Sequence, residues 1–484
     1  MSDLQWMSVG DMLELLQRGA LSAREALDHH IAWAEEHDDA FNLLVSRDVE
    51  QARATATAID DARVAGQPVG RLGGLPMTVK DSLQTEGLRT TSGSLTLAEF
   101  IPDIDAAPVA RLREEGAVIW AKTNLPMWAG DLQTYNEVAG TSNNPWDVTR
   151  SVGGSSGGSA GALAAGYTPL EVGSDIGGSI RNPAAMCGVV GHKPSYGIVP
   201  MRGHIPGAPG TLTQADIAVA GPMARTVDDC ALALDVLAGV DQWHRPAWTL
   251  DLPPPRTADV AGLRVAIWAD DAYCRVDPEI KSAILDVAAH FSAVGADVNI
   301  DARPSGVRFD ASDDVFWNLL GAALSGEAPA EEIEEYAMAL AQRPNGDTPL
   351  GVAGATGRHK FWLENNERRF QLRERWREFF SRWDVVLAPV SPTVAIPHDH
   401  SEPMMSRTID VAGVDRPYTD QMAWMGLFGV VYLPVTSVPI GVHSTGLPIG
   451  MQVVAPFLED RMALAVASIV EEMVGGHRRP PPVG

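Results

Sequence analysis

The chain has 484 residues, of which 45% are hydrophobic and 20% charged, so it can bury a sizeable core, which excludes intrinsic disorder and fibrous repeats. It carries 62 acidic and 37 basic residues, a net charge of -25 that repels nucleic-acid phosphates and anionic lipids, so neither is an expected partner. Its three cysteines, Cys187, Cys230 and Cys274, are too sparse for a disulfide framework or a zinc cluster, which predicts a reducing, cytoplasmic location.

The N-terminal region is predicted to be helical over residues 8–65. Its first twenty residues show no basic stretch followed by an apolar run, so we expect no signal peptide. Ser22 and Glu25 have the spacing of a capping box, in which each side chain binds the other residue's backbone N–H. We therefore expect N-terminal helices across residues 1–66.

Strand and helix patterns alternate after this region. Residues 75–79 form a short apolar run that ends at Lys80, a helix is predicted near 106–115, and residues 117–121 form a second apolar run. Such alternation is typical of α/β proteins. We predict an α/β fold with a mixed, mostly parallel central sheet covered by helices on both sides.

The second half of the chain is less informative. Residues 246–260 are rich in proline and aspartate and predict a linker or a surface excursion. Residues 278–382 are mostly helical in pattern, with long charged stretches that are typical of a solvated face. Residues 383–389 and 430–439 are apolar runs that we expect to return to the sheet as late strands.

Two glycine- and serine-rich segments carry the chemical signal, GGSSGGS at 153–159 and GSDIGGSIR at 173–181. Consecutive glycines let backbone N–H groups converge on one point, which suits a phosphate or a developing oxyanion. Neither segment matches the glycine patterns of nucleotide-binding loops. The first one precedes an alanine-rich helical stretch, so a flexible linker is the weaker interpretation.

The first segment also fits GxSxG, the nucleophile-elbow pattern of α/β-hydrolases. That pattern requires a strand immediately before it, whereas residues 143–147 have the composition of a turn. An elbow enzyme also needs a later aspartate and histidine. His398, His400 and His443 follow, but none lies in a telling context.

Together the two segments resemble the amidase signature family. The matching stretches are GLPMTVKDS at 74–82, AKTNLPMWAG at 121–130, GGSSGGSAGALAAG at 153–166, VGSDIGGSIRNPAAMCGVVGHKPS at 172–195, GPMARTVDDCALALDVLAG at 221–239 and GLPIGMQVVAP at 446–456. The resemblance implies one domain over 1–484, with its catalytic core at 67–240 and 383–460. A mostly helical region at 261–382 has no assigned role.

The resemblance also implies a Ser–cis-Ser–Lys triad. Ser179 matches the nucleophile, Ser155 the bridging serine and Lys80 the base, and the peptide bond between Gly154 and Ser155 is expected to be cis. The backbone amides that match the oxyanion hole are those of Ile176, Gly177, Gly178 and Ser179.

This assignment is chemically coherent. A serine hydroxyl is a poor nucleophile until a base removes its proton. A lysine serves as that base only when neutral, and burial lowers its reference pKa of about 10.4 by several units. Ser155 can accept and donate a proton at once, so it can connect Ser179 to Lys80. No metal or other cofactor is expected. Among the neighbouring residues, Asp175 and Arg181 are expected to form a buried pair that braces the loop, and Ser156 to bind the loop backbone.

The stretch that matches the family's acyl pocket is apolar here, with Met127, Trp128 and Ala129 as candidate substrate-binding residues. It lacks an obvious carboxylate or arginine for a charged substrate. Apolar walls favour hydrophobic or aromatic amides. Because esters and carbamates form similar tetrahedral intermediates, the hypothesis is an amidase for small-molecule amides, anilides or carbamates (urethanes), acting as a monomer or homodimer.

Two alternatives remain open. One is the glutaminase subunit of a tRNA-dependent amidotransferase, which shares the signature but requires partner subunits and a polar pocket for glutamine. The other is a catalytically silent binding protein on the same scaffold, which is disfavoured because Lys80, Ser155 and Ser179 are all present.

Overall fold

The computed structural model describes residues 3–257, 259–341 and 350–482. Its α-helices are α1 (Val9–Gln17), α2 (Ala23–Phe41), α3 (Val49–Val64), α4 (Ala107–Glu114), α5 (Gly157–Ala164), α6 (Arg181–Cys187), α7 (Val227–Leu237), α8 (Pro278–Ala293), α9 (Phe309–Leu324), α10 (Ala330–Ala341), α11 (Val352–Thr356), α12 (His359–Phe379), α13 (Asp420–Gly429) and α14 (Asp460–Val474). Among the described residues, no helix combines the length and apolar character needed to cross a membrane.

The strands are β1 (Leu44–Arg47), β2 (Pro76–Lys80), β3 (Val118–Thr123), β4 (Tyr135–Asn136), β5 (Gly140–Thr141), β6 (Asn143–Asn144), β7 (Asp147–Ser151), β8 (Leu170–Asp175), β9 (Val190–Lys193), β10 (Val219–Ala224), β11 (Arg264–Ile267), β12 (Asp297–Asn299), β13 (Val385–Pro389), β14 (Thr408–Val411), β15 (Val414–Pro417), β16 (Val435–Val442) and β17 (Pro448–Val454). Short 3-10 helices also occur, including the one at Met127–Ala129.

Eight strands form the main sheet in the order β12-β11-β13-β17-β16-β9-β10-β8. The mixed α/β architecture is confirmed, but the expectation of a mostly parallel sheet is wrong. Only β12, β11 and β13 pair in parallel, and every other neighbouring pair is antiparallel. The physical reason is strand insertion. A helical crossover does connect the like-directed strands β8 and β9, but β10 lies between them and runs the opposite way.

A second sheet of three strands, in the order β1-β3-β2, places Lys80 next to the main sheet. Strand β2 is buried throughout and pairs in parallel with β3, so that Lys80 lies opposite Thr123. The Thr78 N–H donates to Thr168 Oγ1 at 3.2 Å, just before β8 begins. Strand β1 interrupts the region that was expected to be helical, because it completes this sheet against β3.

Several local predictions are confirmed. Both hydrogen bonds of the capping box between Ser22 and Glu25 are present at the start of α2. The alanine-rich stretch after the first glycine segment forms α5, and the late apolar runs supply β13 and β16. Cys187, Cys230 and Cys274 are buried and have free thiols.

Candidate active site

Three chain segments that are distant in sequence converge beside strand β8. Strand β2 ends at Lys80, the loop between β7 and α5 carries Ser155, and the turn between β8 and α6 carries Ser179. The glycines allow these backbones to pack closely, and all three side chains are buried or nearly so, with Ser179 7% exposed. The sequence-predicted residues are therefore brought into one region of the molecule.

The Lys80 amine lies between two serine hydroxyls. Its Nζ donates to Ser155 Oγ at 2.7 Å and to Ser174 Oγ at 3.0 Å. Burial lowers the pKa of Lys80 to about 7, although the negative charges of Asp175 and Glu171 oppose that shift. An amine with this pKa is substantially neutral near neutral pH, which is the state that a proton acceptor requires.

The loop around Ser155 is fastened to the nucleophile turn. The peptide bond between Gly154 and Ser155 is cis. The N–H of Ser156 donates to the carbonyl oxygen of Ser179 at 3.1 Å, and the Ser156 hydroxyl accepts from Ser174 N and donates to Ser174 O, both at 3.3 Å. Ser156 thus binds the backbone of β8, the supporting role that the sequence indicated for it.

The turn that carries Ser179 presents a row of backbone N–H groups. Those of Ile176, Gly177 and Ser179 find no protein acceptor among the residues that the structure describes. The N–H of Gly178 differs from the expectation, because it donates to Asp175 Oδ1 at 2.8 Å. Three open donors, rather than four, are therefore available to bind an oxyanion.

Asp175 and Arg181 form the buried pair that braces this turn. The Arg181 guanidinium donates to both carboxylate oxygens of Asp175 at 3.0 Å, and the Ile180 N–H donates to Asp175 Oδ2 at 3.1 Å. Burial by itself raises the pKa of Asp175, but the charge and hydrogen bonds of Arg181 outweigh it and hold the pKa at about 2. Arg181 also donates to the Met425 carbonyl oxygen at 2.8 Å and to Gln452 Oε1 at 2.9 Å.

Apolar side chains crowd the glycines of the nucleophile turn. A Cβ at Gly177 would lie 2.3 Å from the Met422 methyl group and 3.5 Å from the Phe316 ring. Gly178 has a φ of +118°, and a Cβ there would lie 2.2 Å from Met425 Sδ. Phe316 belongs to α9 and both methionines belong to α13, two helices that the motifs did not indicate. The only sequence signal was the apolar character of those helices.

The predicted substrate-binding residues Met127, Trp128 and Ala129 form a short 3-10 helix near this region. Met127 is 53% exposed, and the Trp128 N–H donates to the Ser92 carbonyl oxygen at 2.8 Å. The backbone two residues after Ala129 packs against Gly154. Its nearest atom lies 2.6 Å from the position that a Cβ on Gly154 would take. This helix therefore borders the Ser155 loop, and its role in binding substrate stays a prediction.

Glu171 is a further buried ionisable group near Lys80, and no motif pointed to it. It lies in β8, and burial raises its pKa to about 7, against the hydrogen bonds that it accepts. A glutamate flanked by Leu170 and Val172 in a buried strand was the signal that could have identified it. Within the described ranges, no cluster of three or more His, Cys, Asp or Glu side chains is arranged to hold a metal ion.

Comparison with known proteins agrees with this geometry. The profile of the Amidase family matches residues 25–464. The A subunit of the glutamyl-tRNA(Gln) amidotransferase of Moorella thermoacetica is 32% identical, over 100% of this chain and 99% of that protein. A bacterial aryl acylamidase of the amidase signature family superposes with a TM-score of 0.81 at 26% identity, covering 96% of each chain. A 6-aminohexanoate cyclic dimer hydrolase superposes with a TM-score of 0.78 at 30% identity, covering 98% of this chain and 99% of the other. The chain therefore belongs to the amidase signature family of enzymes that act on carbon–nitrogen bonds.

Proposed function

We propose that this enzyme hydrolyses the C–N bond of amides through an acyl-enzyme formed on Ser179, with Ser155 as the proton relay and Lys80 as the base. The observation that carries the proposal is the 2.7 Å contact between Lys80 Nζ and Ser155 Oγ in a fully buried setting. Burial supplies the neutral amine, and Ser155 presents its hydroxyl to it.

The proton follows one path in both directions. As Ser179 Oγ attacks the carbonyl carbon, its proton passes to Ser155 Oγ, and the proton of Ser155 passes to Lys80 Nζ. When the tetrahedral intermediate collapses, the same relay returns a proton to the departing nitrogen, and the C–N bond breaks. Water then attacks the acyl-enzyme by the same route, which releases the acid and restores Ser179.

The negative charge that develops on the carbonyl oxygen is assigned to the open backbone donors. These are the N–H groups of Ile176, Gly177 and Ser179, which have no internal acceptor among the described residues. Fixed donors in a water-poor site stabilise the transition state without reorganising, and loss of one such donor typically costs about 10²–10³ in rate.

For the substrate we propose hydrophobic or aromatic amides, with carbamates and esters as related substrates. Met422 and Phe316 border Gly177 with apolar surface. Arg369 stacks on the ring of Tyr432, a member of the same hydrophobic cluster, and Asp216 holds its guanidinium through two contacts of 2.8 and 2.9 Å, so its charge is already neutralised inside the protein. The likeness to an aryl acylamidase and to a cyclic amide hydrolase supports this choice.

The acidic surface and the free thiols favour a cytoplasmic location.

A second candidate function is the glutaminase subunit of a tRNA-dependent amidotransferase. The observation in its favour is the 32% sequence identity to the Moorella thermoacetica A subunit, which extends over 100% of this chain and 99% of that protein. In that role the chain would work with partner subunits and would take glutamine as its amide. Charged groups of free glutamine would then have to be bound beside an apolar wall, which argues for the first candidate.

The test is turnover by the purified chain of 4-nitroacetanilide, a phenyl carbamate and glutamine, with Ser179→Ala as the matched control. We expect release of 4-nitroaniline from the anilide and of phenol from the carbamate, and no turnover by Ser179→Ala. Turnover of glutamine alone would replace the first candidate with the second. Inactivity on all three substrates would favour the catalytically silent binding protein.

A further inference from the structure

Glu171 is a buried carboxylate that the proposed proton relay does not use. It lies in β8, four residues before Asp175 and eight before Ser179, and its side chain is inaccessible to solvent. An ionisable group is rarely kept in such a place unless specific partners hold it there. Two of the partners of Glu171 lie on the strands that position Lys80.

The contacts of Glu171 join the strand of the nucleophile to the strand of the base. Its Oε1 accepts from Thr78 Oγ1 at 2.7 Å and from Thr123 Oγ1 at 2.9 Å, and its Oε2 accepts from Val172 N at 2.8 Å. Thr78 precedes Lys80 by two residues in β2, so the two side chains share a face of that strand. Thr123 is the residue of β3 that pairs with Lys80.

We propose that Glu171 is a positioning residue for Lys80, because its carboxylate fastens β2 and β3 to β8 at the level of the amine and its charge acts on that amine within the buried interior. The inference rests on the proposed role of Lys80 as the base. It adds Glu171, which lies outside the signature motif, to the residues that determine the pH at which Lys80 becomes neutral.

Of the charged groups near Lys80, Glu171 is the one that can change the pKa of the Lys80 amine. Three titratable groups face Lys80. Asp175 and Glu171 lie in β8, and His204 lies in the segment after β9. Asp175 is neutralised by Arg181 in direct contact. Glu171 faces Lys80 from β2 and Lys122 from β3, but among the described residues no cationic nitrogen lies within 4 Å of its carboxylate. Its charge is therefore not cancelled by a contact partner.

The sign of the effect follows from this arrangement. A carboxylate near the amine favours the protonated form of Lys80 and so raises its pKa. Replacing Glu171 by glutamine removes that charge while keeping the size of the side chain. Lys80 then stays neutral to lower pH, and the acidic limb of the reaction shifts to lower pH.

The experiment measures how fast a fluorophosphonate reagent labels Ser179 as a function of pH, because this reaction needs the activated hydroxyl but no natural substrate. The serine oxygen bonds to phosphorus, fluoride leaves, and the serine proton passes to the relay. Because Glu171 is itself only partly ionised near pH 7, its charge acts on Lys80 at less than full strength, and for Glu171→Gln we expect the acidic limb to move down by at most about one pH unit. Glu171→Asp retains the charge, and its limb should stay near that of the unaltered chain even if its rate falls.

Glu471→Gln is the matched control. Glu471 is a glutamate whose pKa burial also raises to about 7, but it lies in α14 and accepts from the N–H of Val227, away from Lys80. Its substitution should leave the limb in place. Should Glu171→Gln fail to fold, Thr123→Val removes one hydrogen bond that stabilises the carboxylate, and a smaller shift in the same direction is expected.

The outcomes separate the two proposals. If the unaltered chain is not labelled at Ser179, the proposed function is wrong. If it is labelled and Glu171→Gln loses rate without any movement of its limb, the proposed function stands and Glu171 is only a packing residue. The same conclusion follows if Glu171→Asp moves the limb as far as Glu171→Gln.

Discussion

The two ends of strand β8 hold buried carboxylates in opposite electrostatic states. At its end, Asp175 contacts Arg181 directly, and its pKa is held at about 2. At its beginning, Glu171 is bound by two hydroxyls and one backbone N–H, and burial raises its pKa to about 7. Both side chains are removed from water, so burial alone does not explain the difference.

The hydrogen-bonding partner of a buried carboxylate determines whether it stays charged or titrates near neutral pH. A guanidinium in two-point contact keeps Asp175 charged at all working pH values, which suits a group that braces a turn. Hydroxyl partners only partly replace the lost hydration, so Glu171 titrates near neutral pH. The end of β8 with Asp175 supports the backbone donors proposed to bind the oxyanion. The beginning of β8, with Glu171, lies beside Lys80.

The largest effect is expected from breaking the charged end with Arg181→Met. This leaves Asp175 as an uncompensated buried charge, a change that typically costs about 3–5 kcal/mol of unfolding free energy. It also frees the turn that carries Ser179, so activity should be lost. Denaturant unfolding measures the first effect. The exposed pair of Arg377 and Glu374 in α12 supplies the control, since Arg377→Met should leave the unfolding free energy nearly unchanged. Equal losses in both variants would contradict the comparison.

A second prediction concerns the amine beside the titratable end. Lys80→Met should lower kcat/KM by about 10²–10⁴ because the proton acceptor is gone. The unfolding free energy at pH 8 should be unchanged or higher, since the native chain no longer keeps an amine neutral below its ordinary pKa.

Lys122→Met is the contrasting variant for that test. Lys122 is also buried, but its amine donates to the Leu83 carbonyl oxygen and to Thr85 Oγ1 at 2.8 Å and contacts neither catalytic serine. Its removal would take away the cation that lowers the pKa of the buried Asp81 carboxyl, so stability should fall while the chemistry is kept. If Lys122→Met lost as much kcat/KM as Lys80→Met at equal stability, the base would not be assigned to Lys80 alone.

A third prediction is the pH dependence of the unaltered enzyme. Because Lys80 must be neutral and its pKa is lowered to about 7, kcat/KM should fall about tenfold per pH unit on the acidic side of pH 7. The measurement is a pH profile on an uncharged aromatic amide. A rate that stays level down to pH 5 would show that no group titrating near 7 serves as the base.

The smallest effect concerns how the unfolding free energy depends on pH, because Glu171 and Asp175 should change it in different pH ranges. The pKa of Glu171 is raised from 4.5 to about 7 on folding, so its presence lowers native stability as pH rises through that window. The pKa of Asp175 is lowered from 3.8 to about 2, so its contribution is present above pH 3.8 and is lost as pH falls toward 2.

Relative to the unaltered chain, Glu171→Gln should therefore gain stability as pH rises from 4.5 to 7, by up to about 1.4 kcal/mol per pH unit. Asp175→Asn should gain relative stability only as pH falls below 3.8. Thermal unfolding across pH gives both trends. Parallel trends in the two variants would mean that the two ends of β8 do not differ in the way described.

The positions of the serines and the lysine were predictable because each lies in a local pattern. Lys80 ends an apolar run that becomes β2, and the segment with Ser155 precedes an alanine-rich stretch that becomes α5. The pairing of Asp175 with Arg181 was also predictable, because residues six apart across a tight turn can meet. In each case the information lies within a few residues of the group concerned.

Features that depend on distant neighbours were not predictable in this way. The apolar wall at Gly177 comes from Phe316 in α9, inside the region to which the sequence assigned no role, and from Met422 in α13. The partners of Glu171 lie on β2 and β3, and nothing near Glu171 in sequence indicates them. The sheet was expected to be mostly parallel because strand order, which inserts β10 between β8 and β9, leaves no trace in local periodicity.

Arg181 connects the reactive turn to residues more than 240 positions later in the chain. Its guanidinium donates to the carbonyl oxygen of Met425 and to the side chain of Gln452, and β16 of that later segment pairs with β9. During synthesis, a nascent chain lacks these contacts until Gln452 has been translated. A product truncated between Arg181 and Met425 would therefore carry the signature residues without an assembled active site.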